Sequence, residues 1–246
     1  VFYEIRMESI GGFGAKVAGK ILAQAAIVGM GLNGANFSSY GSEKMGTPMK
    51  VYIRLTEQDT VRINSPVTEP HLIVIFHTNL IKTLPVLEGL QEHGKLVVNT
   101  NKTPEEIRDE AKVPGGITIY CVDAFKIAVE EKVRINAPLL GGICRAAEFI
   151  DGEQVKHYIA KMFEKKYPHT IEPNKRAFDR GFNEVSIMEV PEDNKYPFVK
   201  YKPYVSPLGY ENAPIGGALT DFGNAYVKDL SGSRAGYIAV YYPEKC

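Results

Sequence analysis

Gly11, Gly12 and Gly14 stand close together near the start of the chain, directly after an alternating run and directly before a helical pattern. Glycines at such a turn let the backbone come close to a ligand, and the free N–H groups and dipole of the following helix attract negative charge. The chemistry this arrangement can do is the holding of a phosphate or a coenzyme. A ligand-free reading weighs about as much, because a tight strand-to-helix turn also calls for glycine. Two sharper readings fail on single positions. The dinucleotide pattern G-x-G-x-x-G is met by Gly12 and Gly14 but has Val17 in third place, and no acidic residue ends a clear second strand. Gly14 to Lys20 spells G-x-x-x-x-G-K, yet Ile21 replaces the Ser or Thr with which a nucleotide triphosphatase holds magnesium.

A second candidate is the polar, glycine-punctuated stretch 38–48, which contains Tyr40, Gly41, Ser42, Glu43, Lys44 and Gly46 and precedes an apolar alternation. As a loop it can present Tyr40 and Lys44 to a ligand or a neighbouring subunit, and standing alone it would be an ordinary surface turn. The five histidines show no metal-ligand spacing and are assigned no role. No G-x-S-x-G elbow and no cysteine in a nucleophile setting are present, so hydrolase chemistry has no support.

The elements that must position these loops follow from periodicity. Residues 1–10 alternate as a strand does, and Val17, Ala18, Ile21, Leu22 and Ala25 recur at helical spacing after the glycines. Further strands are expected at 50–55, 72–76, 95–99 and 117–122. Leu84, Leu87 and Leu90 share a helical face that Gly94 can end, and Thr103-Pro104-Glu105-Glu106 forms a capping box opening another helix. Three later helices are expected from about Pro138, from Asp151 as N-cap and from about Pro173. The fold class is therefore α/β: a layered domain over 1–190 with a largely parallel or mixed sheet flanked by helices. Residues 191–246 form an extended arm and a lead-in to something further, with the stretch 191–214 rich in proline, tyrosine and charge.

With 246 residues, 44% of them hydrophobic, the chain can bury one large core. Lys plus Arg and Asp plus Glu balance at 29 each, which points away from nucleic-acid and anionic-membrane partners. No apolar run approaches a membrane span and the first residues do not form a signal peptide, so a cytoplasmic location is expected. Cys121, Cys144 and Cys246 make no C-x-x-C pair, which suits a reducing compartment. Both ends look cut, since no Met comes first and Cys246 follows directly on a strand-like run.

Several separated motifs carry a resemblance. The glycine loop and helix over 9–26, then Tyr40-Gly41-Ser42-Glu43-Lys44-Met45-Gly46 leading into 51–55, resemble the gamma subunit or domain of 2-oxoacid:ferredoxin oxidoreductases. Glu69-Pro70-His71 before a buried strand, the stretch 94–100, Ile135-Asn136-Ala137-Pro138-Leu139-Leu140-Gly141 and Glu172-Pro173-Asn174-Lys175-Arg176 continue it to about Val185. The stretch 223–238 is similar to the lead-in of the family's delta, ferredoxin-like part, in which Cys246 would be the first ligand of a bacterial cluster motif that needs three more cysteines. The combination resembles the delta subunit of oxalate oxidoreductase more than a pyruvate enzyme.

The resemblance implies oxidative decarboxylation of a 2-oxoacid, with thiamine diphosphate and magnesium in partner subunits and [4Fe-4S] clusters passing electrons to ferredoxin. It implies alpha-type and beta-type partners, a dimer of heterotrimers, and no catalytic residue in this chain. In members that use coenzyme A, it places Gly11, Gly12, Gly14, Lys20 and Lys44 in the coenzyme region, lysine being a suitable point charge for phosphate. Glu43 would repel phosphate, a departure that agrees with oxalate, whose oxidation needs no acyl acceptor. Residues 135–141 and the arm 191–214 are expected against other subunits. The two loops are expected to meet at the carboxyl end of the sheet. A free-standing dinucleotide-dependent oxidoreductase and a purely structural assembly subunit are the competing readings.

Overall fold

The computed structural model describes residues 2–40, 46–58 and 60–203. β1 (Tyr3–Ile10) leads into α1 (Ala15–Gln24), which widens into a π-helical turn at Ala25–Gly29. β2 (Asn33–Tyr40), β3 (Pro48–Thr56), β4 (Leu72–Ile75), α2 (Asn79–Thr83), β5 (Lys95–Asn99), α3 (Pro104–Ala111) and β6 (Thr118–Val122) follow. The chain continues through α4 (Ala124–Glu130), α5 (Asn136–Ala146), α6 (Gly152–Phe163), a 3-10 turn at Pro168–Thr170, α7 (Ile171–Asn183) and β7 (Ser186–Glu189).

The strands form a seven-stranded sheet in the order β2-β3-β1-β4-β5-β6-β7. β1, β4, β5 and β6 run parallel, while β3, β2 and β7 pair antiparallel, which makes the sheet mixed and the fold α/β. β4 shows why its sequence is an unbroken apolar run. Leu72 and Val74 join one cluster with Leu22, Leu140 and Phe178, and Ile73 and Ile75 join a second with Leu80, Leu90 and Ile107. A strand buried on both faces has no polar side to alternate with. Each such side chain contributes about 1.5–3 kcal/mol by leaving water.

Local signals set most element ends. Thr103 accepts the Glu106 N–H while the Glu106 carboxylate accepts the Thr103 N–H, closing the expected capping box, and Asp151 caps α6 through Glu153 N–H. Two expectations are corrected. The helix drawn through Leu84, Leu87 and Leu90 does not form: α2 ends at Thr83, and Leu84 is extended with ψ of 151° because the following Pro85 disfavours the helical region. Ser38 to Tyr40 belong to strand β2 instead of a loop, in register with Val51, Lys50 and Met49. β2 is an edge strand in which no residue is buried, so it carries little of the apolar alternation that marks a strand. Residues 135–141 are buried within this chain.

α5 is covered on nearly all sides. Its packing on α7 is so close that a Cβ on Gly141 would run into the Phe178 carbonyl and one on Gly181 into the Pro138 carbonyl. Charge is spread over the second face of β1 and β3. Arg6 donates to the carbonyls of Val86 and Glu88 at 2.9 and 2.7 Å and meets Glu8 at 2.8 Å. Arg54 bonds Glu4 at 2.5 Å and the Ser65 and Pro66 carbonyls at 2.6 and 3.1 Å. Burial raises the Glu8 carboxyl above the usual carboxylate range, against the pull of Lys50 and Arg6.

The compact unit that holds the sheet runs to Tyr201. Residues 191–201 are bonded to it: Asp193 takes Arg108 at 2.6 Å, Lys195 takes Asp109 at 2.6 Å, and the Gly89 N–H donates to Val199 O at 2.7 Å. That part of the arm lies on its own chain. Among the described residues no helix is long and apolar enough to cross a membrane. The helix contact gives a direct test. Gly181→Ala should lower unfolding stability by about 3 kcal/mol in urea titration, the upper end of what overpacking costs, whereas Gly31→Ala, whose Cβ meets nothing within 4 Å, should cost only about 1 kcal/mol for its left-handed backbone.

Candidate functional site: an anion-ready loop

The chain leaving β1 turns at Gly12 and Gly14 with φ of 105° and 88°. Gly14 is the N-cap of α1, has no side chain to close it, and is followed by a first turn without acidic residues. The N–H groups of Gly12, Gly14, Ala15, Lys16 and Val17 have no acceptor among the described residues. Such orphan donors, with the helix dipole behind them, make a place for an anion.

A buried acceptor lies under the same loop. Asn136, at the start of α5, is 2% exposed and its Oδ1 has no donor. It packs beneath the loop, its Cβ and Cγ being 3.5 and 3.6 Å from where a Gly14 Cβ would stand. A buried amide oxygen without a partner costs about 1–3 kcal/mol, and only an incoming hydrogen-bond donor, a hydroxyl or an N–H, can satisfy it; a bare anion cannot.

The second loop is joined to the first by backbone. Gly46 N–H donates to Gly11 O at 3.1 Å and Gly11 N–H donates to Thr47 O at 2.9 Å, which carries the β1–β3 ladder past its last pair, Ile10 with Pro48. Gly46 itself has a φ of 78°. Tyr40, half-buried at the end of β2, lies under the Lys16 ammonium, 5.8 Å from ring centroid to Nζ. Lys20 is exposed one turn further along α1, on the same stripe as Lys16. Gly41, Lys44 and Cys246 lie outside the described residues.

The structure therefore brings together Gly11, Gly12, Gly14 and Gly46, and puts Tyr40 beside them through Lys16. Lys20 stands farther off. Lys16 and Asn136 are the residues that sequence reasoning missed. Lys16 had a readable signal, a lysine in the first turn after a glycine cap. Asn136 was legible only as part of the 135–141 motif, because the approach of α5 to the loop is a tertiary contact.

Among the described residues of the site no nucleophile stands with a base. Burial pushes the Cys121 thiol up to about 12 and the more deeply buried Cys144 thiol higher still, so neither supplies a thiolate. Among the described residues no group of three or more His, Cys, Asp or Glu side chains is placed to hold a metal. A mixed sheet flanked by helices, with a glycine turn and an open helix N-terminus at the carboxyl end of its first strand, is the class of protein that the described residues define.

Comparison with known proteins gives the particular family. Residues 4–184 match the family model described as pyruvate ferredoxin/flavodoxin oxidoreductase, and the chain belongs to that family. It is 37% identical over 191 residues to the pyruvate synthase subunit PorC of Thermotoga maritima, covering 76% of this chain and 97% of that one. It is 33% identical over 190 residues to the common gamma subunit of the pyruvate/ketoisovalerate oxidoreductases of Pyrococcus abyssi, covering 76% and 99%. The crystal structure of the Thermotoga maritima subunit superposes with a TM-score of 0.67 at 35% identity, over 76% of this chain and 99% of that one. The 2-oxoglutarate:ferredoxin oxidoreductase of Magnetococcus marinus shares the fold, with a TM-score of 0.59 at 19% identity over 82% of this chain and 33% of that one.

The thiols supply a prediction. Under native conditions Cys121 and Cys144 should resist iodoacetamide at neutral pH and alkylate at once in denaturant, as peptide mass spectrometry would read; fast native labelling of either would contradict their raised, buried state.

Proposed function

We propose that this chain is a gamma-type, non-catalytic subunit of a 2-oxoacid:ferredoxin oxidoreductase complex. Its anion-ready loop is presented to the active-site or coenzyme region. The observation that carries this reading is the set of N–H groups of Gly12, Gly14, Ala15, Lys16 and Val17 without an acceptor among the described residues, in a loop tied to Gly46, in a chain of this family. The relatives support the setting, since they are named as subunits of oxidoreductases of pyruvate and related 2-oxoacids. Thiamine diphosphate, held with its magnesium by alpha-type and beta-type partners, supplies the decarboxylation chemistry, and [4Fe-4S] clusters pass the electrons to ferredoxin. This chain's own contribution is binding and orientation. Its N–H donors and Lys16 hold negative charge, and Lys20 and Lys44 add point charges along the approach.

A pyruvate-type substrate would place coenzyme A at this loop, its phosphates matching donors that are otherwise unmatched. The oxalate reading keeps one specific argument, the carboxylate of Glu43 shortly before Gly46 in sequence, which repels a phosphate and is harmless where no acyl acceptor is used.

The test uses the reconstituted complex with ferredoxin as acceptor, with pyruvate and oxalate assayed separately. With pyruvate, Lys20→Ala with Lys44→Ala should raise the apparent KM for coenzyme A about tenfold and leave thiamine diphosphate binding unchanged, because each change removes a charged contact and not the chemistry. With oxalate, turnover should proceed without coenzyme A. The isolated chain should oxidise neither substrate when given thiamine diphosphate and an acceptor. Turnover by the chain alone, or a complex indifferent to both lysines with both substrates, would overturn the reading.

A further inference from the structure

α4 departs from the pattern of a surface helix. Ala124, Ile127 and Ala128 face the core, yet on the outer side Phe125 and Val129, one turn apart, are 63% and 65% exposed. An ordinary amphipathic helix puts polar side chains there. Phe13, at the tip of the glycine loop, is also exposed and lies on the same groove, which has a volume of about 510 Å³ and is lined as well by Gly12, Arg134 and Ile135.

The charges around this groove are sorted. Glu130 and Glu131 turn away to Arg180 and Arg176, in ion pairs of 2.7 to 3.4 Å. Lys132 and Arg134 are exposed and have no ion pair among the described residues. The segment thus directs its acids into its own chain and leaves its cations beside bare apolar surface. An apolar centre with a charged rim is the anatomy of a protein contact, and here the rim has one sign.

We propose that this groove is the seat of a partner subunit of the complex, which inserts an apolar side chain beside Phe125, Val129 and Phe13 and sets carboxylates against Lys132 and Arg134. The proposal rests on the reading of the chain as a subunit. Charge complementarity chooses the occupant: a partner rich in acid at this point is drawn in and oriented, whereas a second copy of the chain would bring the same two cations to face these. The position also matters, because Gly12 and Phe13 belong both to this groove and to the anion-ready loop. A subunit seated here closes that loop on one side and shields its N–H groups from water, where they bind charge more strongly.

The experiment compares the full chain and two double variants, Phe125→Ser with Val129→Ser and Lys132→Glu with Arg134→Glu, in assembly with the alpha-type and beta-type subunits. Each variant should weaken assembly about tenfold or more in sedimentation titrations, as loss of central aromatic or buried charged contacts does, and the charge variant should also lose most of the salt dependence. Both should unfold at the wild-type urea midpoint, since the altered side chains are exposed. Hydrogen exchange in the assembled wild-type complex should show new protection over 125–134. Variants that assemble with wild-type affinity, and no added protection there, would overturn the proposal while leaving the functional reading intact. A wild-type chain that joins no such subunits would remove both. Protection already present in the isolated chain and lost on deleting residues 204–246 would assign the groove to the chain's own tail, and a homodimer abolished by Phe125→Ser with normal hetero-assembly would assign it to a second copy. Either result overturns the proposal.

Discussion

The close crossing of α5 and α7 is the constraint on which the rest of the molecule depends. Gly141 and Gly181 allow the two helix backbones to meet where any side chain would strike a carbonyl. α5 can therefore sink between α7 and the sheet, with its residues 136–144 buried. At such a depth its first residue, Asn136, reaches the underside of the glycine loop, and the turn before it carries Lys132 and Arg134 out to the rim of the α4 groove. A helix held one side chain farther away would leave the loop without a floor. Dense packing transmits such a shift instead of absorbing it.

The loop is useful because it is incomplete in a controlled way. Its shape is fixed by the reciprocal backbone bonds of Gly11 with Gly46 and Thr47 and by two left-handed glycines. Its donors are left open. Binding to donors already in place avoids the entropy of ordering them when a ligand arrives, and fixed N–H groups favour negative charge alongside the Lys16 ammonium. Such an arrangement suits the positioning role proposed for this chain.

The opposite face of the same strands is held differently. There Arg6 and Arg54 act as brackets, bonding the carbonyls of the 84–91 and 65–66 segments and pairing with Glu8 and Glu4. Paired and buried charges of this sort add little net stability but specify one arrangement of the loops they hold. β1 thus offers apolar packing on one side, ionic brackets on the other, and the glycine turn at its end.

What the sequence determined by itself was whatever local chemistry dictates. The capping box at Thr103, the Asp151 cap, the apolar run of β4 and the glycine turn after β1 act over a few residues and left legible traces. The motif pattern that resembles gamma subunits was legible too, and the family comparison bears it out. Tertiary structure decided the remainder. β2 was invisible because an edge strand gains its ladder from β3 and needs little apolar alternation, and the helix expected at Leu84 to Leu90 yielded to Pro85, which fixed a local break while the leucines still found the core. Asn136 became part of the loop, and Phe125 with Val129 became a bare surface, only through the burial of α5 and the docking of α4. Periodicity shows that a helix has an apolar face. It does not say which of two apolar faces the fold will cover, because that is settled by contacts between residues far apart in the chain.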